Sequence, residues 1–172
     1  MAEVAGQTCV DGNEVLIGRD HDGAKNLHWW IGCSKNNGEA VVTLKNTSGD
    51  IITLTGDTIN DGNRHHLAFV RDGTTGQNNL YIDGQLSVTS SKVFTAGFAS
   101  ATDPVTIGWL DFSETSTFNF NGTIDEVAIY NDALSAINVA EHYVKSNLFQ
   151  TNYCVPVDTS AVKFIFLPVV FR

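Results

Sequence analysis

The side chains able to do chemistry are few in this sequence and fall into short clusters. His65 and His66 are adjacent. Imidazoles ligate metals and carry protons, but successive residues of a strand point to opposite faces, so this pair cannot chelate one ion through both rings. Asp125 and Glu126 are adjacent carboxylates. The same alternation parts them and makes a poor general acid and base couple, which needs two carboxyls facing one bond. Asp20-His-Asp-Gly23 resembles a fragment of an Asp-rich calcium loop, with Asp20 and Asp22 as oxygen ligands for Ca²⁺. It lacks the third Asp and the closing Glu of an EF-hand, and an Asx turn between two strands is the competing reading. Cys9, Cys33 and Cys154 allow at most one intramolecular disulfide. A Cys9–Cys33 bridge would pin the polar N-terminal arm to the strand that starts at Leu27.

Trp29 and Trp30 lie on that strand and must face opposite ways. Leu27, Trp29 and Ile31 form an apolar set suited to a core. His28, Trp30 and Gly32 then share the outer face. An outward indole is a stacking platform for the apolar C–H face of a sugar ring; the competing reading has Trp30 covered by a loop or a neighbouring subunit. Trp109, at a strand end beside the loop 111–117, offers the same chemistry. Asn46-Thr-Ser and Asn121-Gly-Thr fit the N-glycosylation sequon, a pattern that arises by chance in an Asn- and Thr-rich chain.

The elements that must position these residues read as all-β. Charged residues are only 17% of the chain, and Gly, Asn and Thr take their place, a composition of strands and turns. Short apolar runs predict strands at 14–18, 27–33, 40–45, 50–54, 65–71, 79–82, 85–89, 105–109 and 123–130. Asp83-Gly84 supplies the positive φ values of a two-residue hairpin. Ser135 is an N-cap candidate for one helix over 135–145, with Ile137, Ala140, Tyr143 and Val144 as its apolar stripe. With 10 basic and 19 acidic residues the net charge is −9, which argues against a nucleic-acid partner and is compatible with a hard cation. No apolar run approaches the roughly 20 residues of a membrane span. Met1–Val10 shows neither a basic n-region nor an apolar h-region, so no signal peptide is visible.

Read in order, four motifs carry a resemblance. They are Asp61-Gly-Asn-Arg-His-His-Leu-Ala-Phe-Val-Arg-Asp-Gly73, Asn79-Leu-Tyr-Ile-Asp-Gly-Gln85, Val105-Thr-Ile-Gly108 and Phe120-Asn-Gly-Thr-Ile-Asp-Glu-Val-Ala-Ile-Tyr-Asn-Asp-Ala-Leu-Ser135. Over about 13–148 this series resembles the laminin-G-like, concanavalin-A-like domains. The resemblance implies a two-sheet antiparallel jelly-roll sandwich with one short C-terminal helix, occupying residues 1–150, and a separate tail at 151–172. It implies a non-catalytic module at the cell surface or outside cells that binds a carbohydrate or glycoprotein, often with Ca²⁺. It makes His65 and His66 framework residues, one of them buried and hydrogen-bonded, and makes Asp125 the calcium ligand at the start of the last core strand. Catalytic relatives carry Glu-x-Asp-x-x-Glu on one strand, and no such run is present, so an enzyme is not expected. Fold alone does not fix function, and a structural subunit of a surface assembly is the alternative.

The chain departs from the family pattern in ways that set up a second expectation. Arg64 stands where the family has Trp. One or two strands that normally precede 14–18 have no apolar counterpart in Met1–Asn13. Val162-Lys-Phe-Ile-Phe-Leu167, followed by Pro168-Val-Val-Phe171, is apolar on both alternating faces and is expected to fill the gap. It would do so in its own sandwich, or in a second copy as a homo-oligomer or filament. Phe164, Phe166, Leu167 and Phe171 are the contacts of that assembly.

Overall fold

Alternating burial builds the first sheet. In Glu39–Lys45 (β3), Ala40, Val42 and Leu44 point into the core, and their cross-strand partners are Ile31 and Trp29 on His28–Cys33 (β2) and Leu54 and Ile52 on Ile51–Thr58 (β4). Glu14–Asp20 (β1) pairs with β2 through a bulge between Val15 and Ile17. Thr106–Ile107 (β8) pairs with the other edge of β1, giving the order β4-β3-β2-β1-β8. The structure is a computed structural model and describes residues 9, 14–20, 28–35, 37–98, 103–113, 116–148 and 169–171.

The second sheet is built on His66–Arg71 (β5), Gln77–Ile82 (β6) and Gln85–Ser91 (β7). Its order is completed on the far side of β5 by Val169–Phe171 (β12) and Ile124–Asp125 (β11), as β11-β12-β5-β6-β7. Leu67, Leu80 and Ile82 join Leu16, Val42 and Leu54 in the inter-sheet core, while Val70 and Tyr81 point outward onto Val139. All paired strands are antiparallel. The fold is thus the expected jelly-roll sandwich, closed by a two-stranded ribbon of Trp109–Ser113 (β9) and Ser116–Asn119 (β10). Ala136–Leu148 (α1) is the one α-helix among the described residues. It is too short to cross a membrane, and no described helix is long and apolar enough to do so.

Three local expectations need correction. The predicted strand 105–109 is split at Gly108, whose φ of +80° turns the chain. The predicted strand 123–130 stops after Asp125, because Glu126 takes φ +54° and breaks the extended backbone. The helix buries a different stripe. Ser135 caps it as expected, accepting the Asn138 N–H at 3.2 Å, but Val139 is the fully buried residue, and Ile137 and Val144 are 68% and 52% exposed. The helix is seated by the hairpin turn at Asp83-Gly84, where φ values of 52° and 75° match the two-residue turn. A Cβ at Gly84 would lie 3.2 Å from the Ala140 Cα, so glycine there serves both turn and helix contact.

The β3–β4 turn is held from inside. Asn46 is fully buried. Its carbonyl accepts the Ser48 and Asp50 N–H groups at 3.0 and 2.8 Å, and its amide donates to Asp50 at 3.0 Å and to the Ala96 carbonyl at 3.4 Å. Asp50 in turn accepts from the Thr95 hydroxyl (2.6 Å) and amide (3.0 Å). With the Thr95 hydroxyl bond as the largest cause, its carboxyl is held well below the usual range. The Asn46 sequon is therefore spent on structure, whereas Asn121 is exposed. Asn46→Ala should cost about 2 kcal/mol by orphaning these buried partners, read as a lower urea midpoint with unchanged m-value.

Candidate functional site

Two places on the sandwich bring side chains with binding chemistry together. The first is the outer face of the β1–β4 sheet. Trp29 packs inward against the core, so strand alternation turns Trp30 outward. Trp30 is half-buried and opposite Thr43, which bonds Thr53 hydroxyl to hydroxyl at 3.2 Å. The neighbouring row on the same face holds His28 opposite Lys45, with the backbone of Asp20 on its other side. Burial, then the Lys45 charge, lowers the His28 pKa and favours neutral imidazole.

The β8–β9 corner adds to this face. A Cβ on Gly18, the β1 partner of Trp30, would lie 2.9 Å from both the Leu110 Cδ1 and the Trp30 Cβ. Glycine thus lets Leu110, which is 1% exposed, settle against β1 beside Trp30. Trp109 is 42% exposed. Its carbonyl accepts the Thr106 hydroxyl at 2.6 Å. Trp30, His28, Lys45 and Thr53 share one face of the sheet, and Trp109 stands apart from them on β9, in the two-stranded ribbon; Trp30, Trp109 and His28 are the expected ligand-binding residues.

The second place is a cavity of about 360 Å³ along the edge of β5, between Leu67–Arg71 and Ala128–Leu134, reaching Trp29, Trp30 and Ile31 beneath. Its interior is core-like, and Arg71, Tyr130, Asn131, Asp132 and His142 are its polar lining. Arg71 also lies over the Phe94 and Phe98 rings, at 5.4 and 5.0 Å.

Other expected residues fall elsewhere. Asp125 is exposed on β11. Calcium takes roughly 6–8 oxygens. Among the described residues the one gathering of three His, Cys, Asp or Glu ligand groups is Cys9, Glu14 and Cys33. Asp22, Phe164, Phe166 and Leu167 lie outside the described residues, and Phe171 pairs with Ile124 through its backbone in β12. Cys9 and Cys33 are joined in a disulfide, with Cα atoms 6.0 Å apart, within the usual range for such bridges. Glu14 reinforces it by accepting the Cys9 and Asn121 N–H groups, each at 2.8 Å.

The paired histidines divide the two properties expected of one. His65 is the bonded ring: Nδ1 lies 2.8 Å from Asp83 and Nε2 3.0 Å from Asp61. The Asp83 bond, the largest of several causes, raises its pKa. Asp83 also accepts the His66 N–H at 2.9 Å, tying the start of β5 to the hairpin. His66 is the buried ring, 1% exposed and 6.0 Å from the Tyr143 ring, and neither of its nitrogens has a partner among the described residues. Burial, aided by the charges of His142 and Arg64, lowers its pKa from 6.5 to about 4. Sequence reasoning missed the Asp61–His65–Asp83 clamp; its signal was an Asp in the turn of the hairpin next to the His pair.

A family model described as the concanavalin A-like lectin/glucanases superfamily matches residues 6–140. No curated protein sequence matches. Several solved structures share the fold. The CBM40 of the Ruminococcus gnavus IT-sialidase is 20% identical, with a TM-score of 0.67 over 81% of this chain and 77% of that one. The same module bound to α2,3-sialyllactose is 21% identical, with a TM-score of 0.62 over 77% and 74%. A leech intramolecular trans-sialidase complexed with 2,7-anhydro-Neu5Ac is 22% identical, with a TM-score of 0.66 over 86% of this chain and 22% of that one.

The two histidines give opposite pH dependences. The raised His65 pKa stabilises below its ordinary value, and that contribution is lost as pH rises through the raised value. His66 works the other way: the unfolded chain takes up a proton near pH 6.5 and the folded one only near 4. Its contribution is present above 6.5 and lost on acidification toward 4, a change of about 3 kcal/mol. His66→Phe should remove most of this acid sensitivity, measured as urea midpoints at pH 7 and 4.5; an unaltered pH slope would exclude His66 as its source. The matching model spans most of the chain, and the chain belongs to the concanavalin A-like lectin/glucanases superfamily.

Proposed function

We propose that the domain is a non-catalytic carbohydrate-binding module acting at the cell surface or outside cells, and that its glycan lies on the outer face of the β1–β4 sheet. The observation that carries this is the outward Trp30 on one face with Thr53, His28 and Lys45, with the exposed Trp109 on β9, the strand that packs on β1 through Leu110. A sugar ring presents an apolar C–H face to an indole and hydroxyls to the polar groups around it. The sheet is rigid because its other face is core, so the platform is ordered before the ligand arrives. The sialidase-associated modules of like fold, one of them bound to sialyllactose, support a glycan as the ligand class. Lys45 and a His28 held neutral give one fixed positive charge on the platform, which suits a glycan carrying a carboxylate.

Catalysis is not part of this reading. Asp125 and Glu126 are exposed at a strand end where the backbone turns away, remote from the arrangement of facing carboxyls that glycoside hydrolysis requires. The domain is expected to be retained on immobilised sialyllactose or on one of a panel of neutral oligosaccharides. Trp30→Ala and Trp109→Ala should each weaken that binding at least tenfold, about 1.4 kcal/mol, with Trp109→Ala leaving the melting temperature in place. Trp29→Ala should instead destabilise the fold by about 3–5 kcal/mol. Retention equal to wild type in both outward variants would place the glycan elsewhere, and no retention on any probe would remove the reading.

A further inference from the structure

The helix α1 covers the outward side of β5 and β6 on a narrow seat. Within residues 136–146, Val139 alone is buried; Ala140, His142, Tyr143 and Ser146 are half-buried, and the rest face solvent. Val139 packs with Val70 and Tyr81. Ala140 and Tyr143 rest on the hairpin turn, where a Cβ on Gly84 would lie 3.2 Å from the Ala140 Cα and 3.1 Å from the Tyr143 Cβ. The main core lies on the other side of β5, with Leu67 and Phe69, so undocking α1 leaves that core in place. A helix of 13 residues is marginal by itself in water, and undocking it therefore means unwinding it.

His66 sits beneath this seat. Its ring is 1% exposed and 6.0 Å from the Tyr143 ring, and neither of its nitrogens has a hydrogen-bond partner among the described residues. A proton added there would leave a cation without an acceptor in a dry interface, a costly arrangement. The groups around it do not relieve that cost. On α1, Tyr143 faces it, and His142 lies alongside, stacked on the Tyr130 ring at 5.9 Å. The charges of His142 and Arg64 oppose a cation at His66. Glu141, on the solvent side of the helix, pairs with Lys145 at 3.4 Å. Asp83 favours the cation, but one of its oxygens accepts the His66 N–H and the other is bonded to the His65 ring. Asp61 is bonded to the second nitrogen of His65. On β12 the residue opposite His66 is Val170, which carries no charge.

We propose that α1 is an acid-released cover: uptake of a proton by His66 undocks the helix from β5 and β6 while both sheets stay folded. With the helix away, the ring is in water and titrates near its ordinary 6.5; under the helix, burial holds it at about 4. Below 6.5 the open state therefore binds a proton that the closed state refuses, and acid favours opening. His142 acts in the same direction, because burial and then the Lys145 charge lower its pKa while α1 is docked. Release bares Ala68, Val70 and Tyr81, an apolar patch on the outward side of the second sheet. The acid sensitivity of the domain thus gains an address, one helix rather than the whole sandwich. The glycan surface plays no part in the argument, since Trp30, His28 and Lys45 belong to the other sheet.

Native-state amide exchange at pH 7 and 4.5 tests this, with protection corrected for the intrinsic exchange rate at each pH. Residues 139–143 of α1 should be less protected than residues 40–44 of β3 at both pH values, because the helix opens without the sheets. Protection of the helix should fall at least about fiftyfold on acidification, the factor by which a pKa moving from about 4 to 6.5 favours the open state. His66→Phe carries no titrating ring at this position and should cut that fall to less than about tenfold, the remainder being His142; His66→Gln serves the same end should the first variant not fold. Three results would overturn the proposal. Equal protection of α1 and β3 at both pH values would mean that the helix leaves only when the whole domain unfolds. A helix protection unchanged by acid would remove the proton from the mechanism. A fall as large in the His66 variants as in the unmodified chain would place the proton elsewhere. The first two comparisons need no variant and decide alone if neither variant folds.

Discussion

The alternation of side chains along β5 is the constraint on which the rest of the molecule depends. Leu67 and Phe69 face the first sheet and join the main core, while His66, Ala68 and Val70 face the opposite way. A strand with apolar groups on both sides cannot leave either face to water. One side is satisfied by the sandwich. The other requires α1, and the helix is brought there by Val139 against Val70 and Tyr81 and by its seat on the Gly84 turn. The same strand needs a neighbour on each edge. β6 supplies one, and β12 supplies the other over two residues.

The His65-His66 pair shows the same alternation at work in electrostatics. One residue of the pair is turned toward the loop and gains two carboxylates; the next is turned toward the helix and loses water. Their pKa values move in opposite directions for that reason. The carboxylate that fixes His65 is also the first residue of the hairpin turn, held at positive φ, and its other oxygen holds the amide of His66. Asp83 therefore couples turn geometry, strand entry and charge in a single side chain. Burial works against its ionisation, but the bonds from His65 and from the His66 amide outweigh that and hold its pKa below the ordinary value.

Much of this was legible in the sequence, and the failures have local causes. Period-two runs located β1 through β7 within a few residues, since each has one face in a core and the pattern must show. The Asp-Gly turn and the Ser135 cap were readable because those positions select their residue types. The segment 123–130 misled because an apolar run says where side chains can be buried, not whether the backbone stays extended; Glu126 leaves the β region with nothing in its residue type to announce it. The helix stripe misled because α1 rests on a narrow outward patch of β5 and β6, which needs Val139 and leaves Ile137 and Val144 to solvent. For the candidate surface, alternation correctly separated Trp29 from Trp30, but Lys45 and Thr53 could not be attached to it, because cross-strand neighbours depend on a register that one strand's sequence does not contain.

That register is also what makes an outward aromatic on this sheet useful. A ring offered to a ligand binds well only if it is already held in place, since ordering it on binding subtracts from affinity. Trp30 cannot be held by burying its own face, because that face must stay open. It is held from behind and from the side. Behind it, Trp29 and Ile31 fix β2 to the core through the residues on either side of Trp30. Beside it, Gly18 gives up its own side chain so that Leu110 can pack against the strand. The exposed Trp109 then follows from the buried Leu110: the next position along β9 must point the other way. The two indoles are consequences of two buried neighbours, and the core that stabilises the sandwich is what positions its binding face.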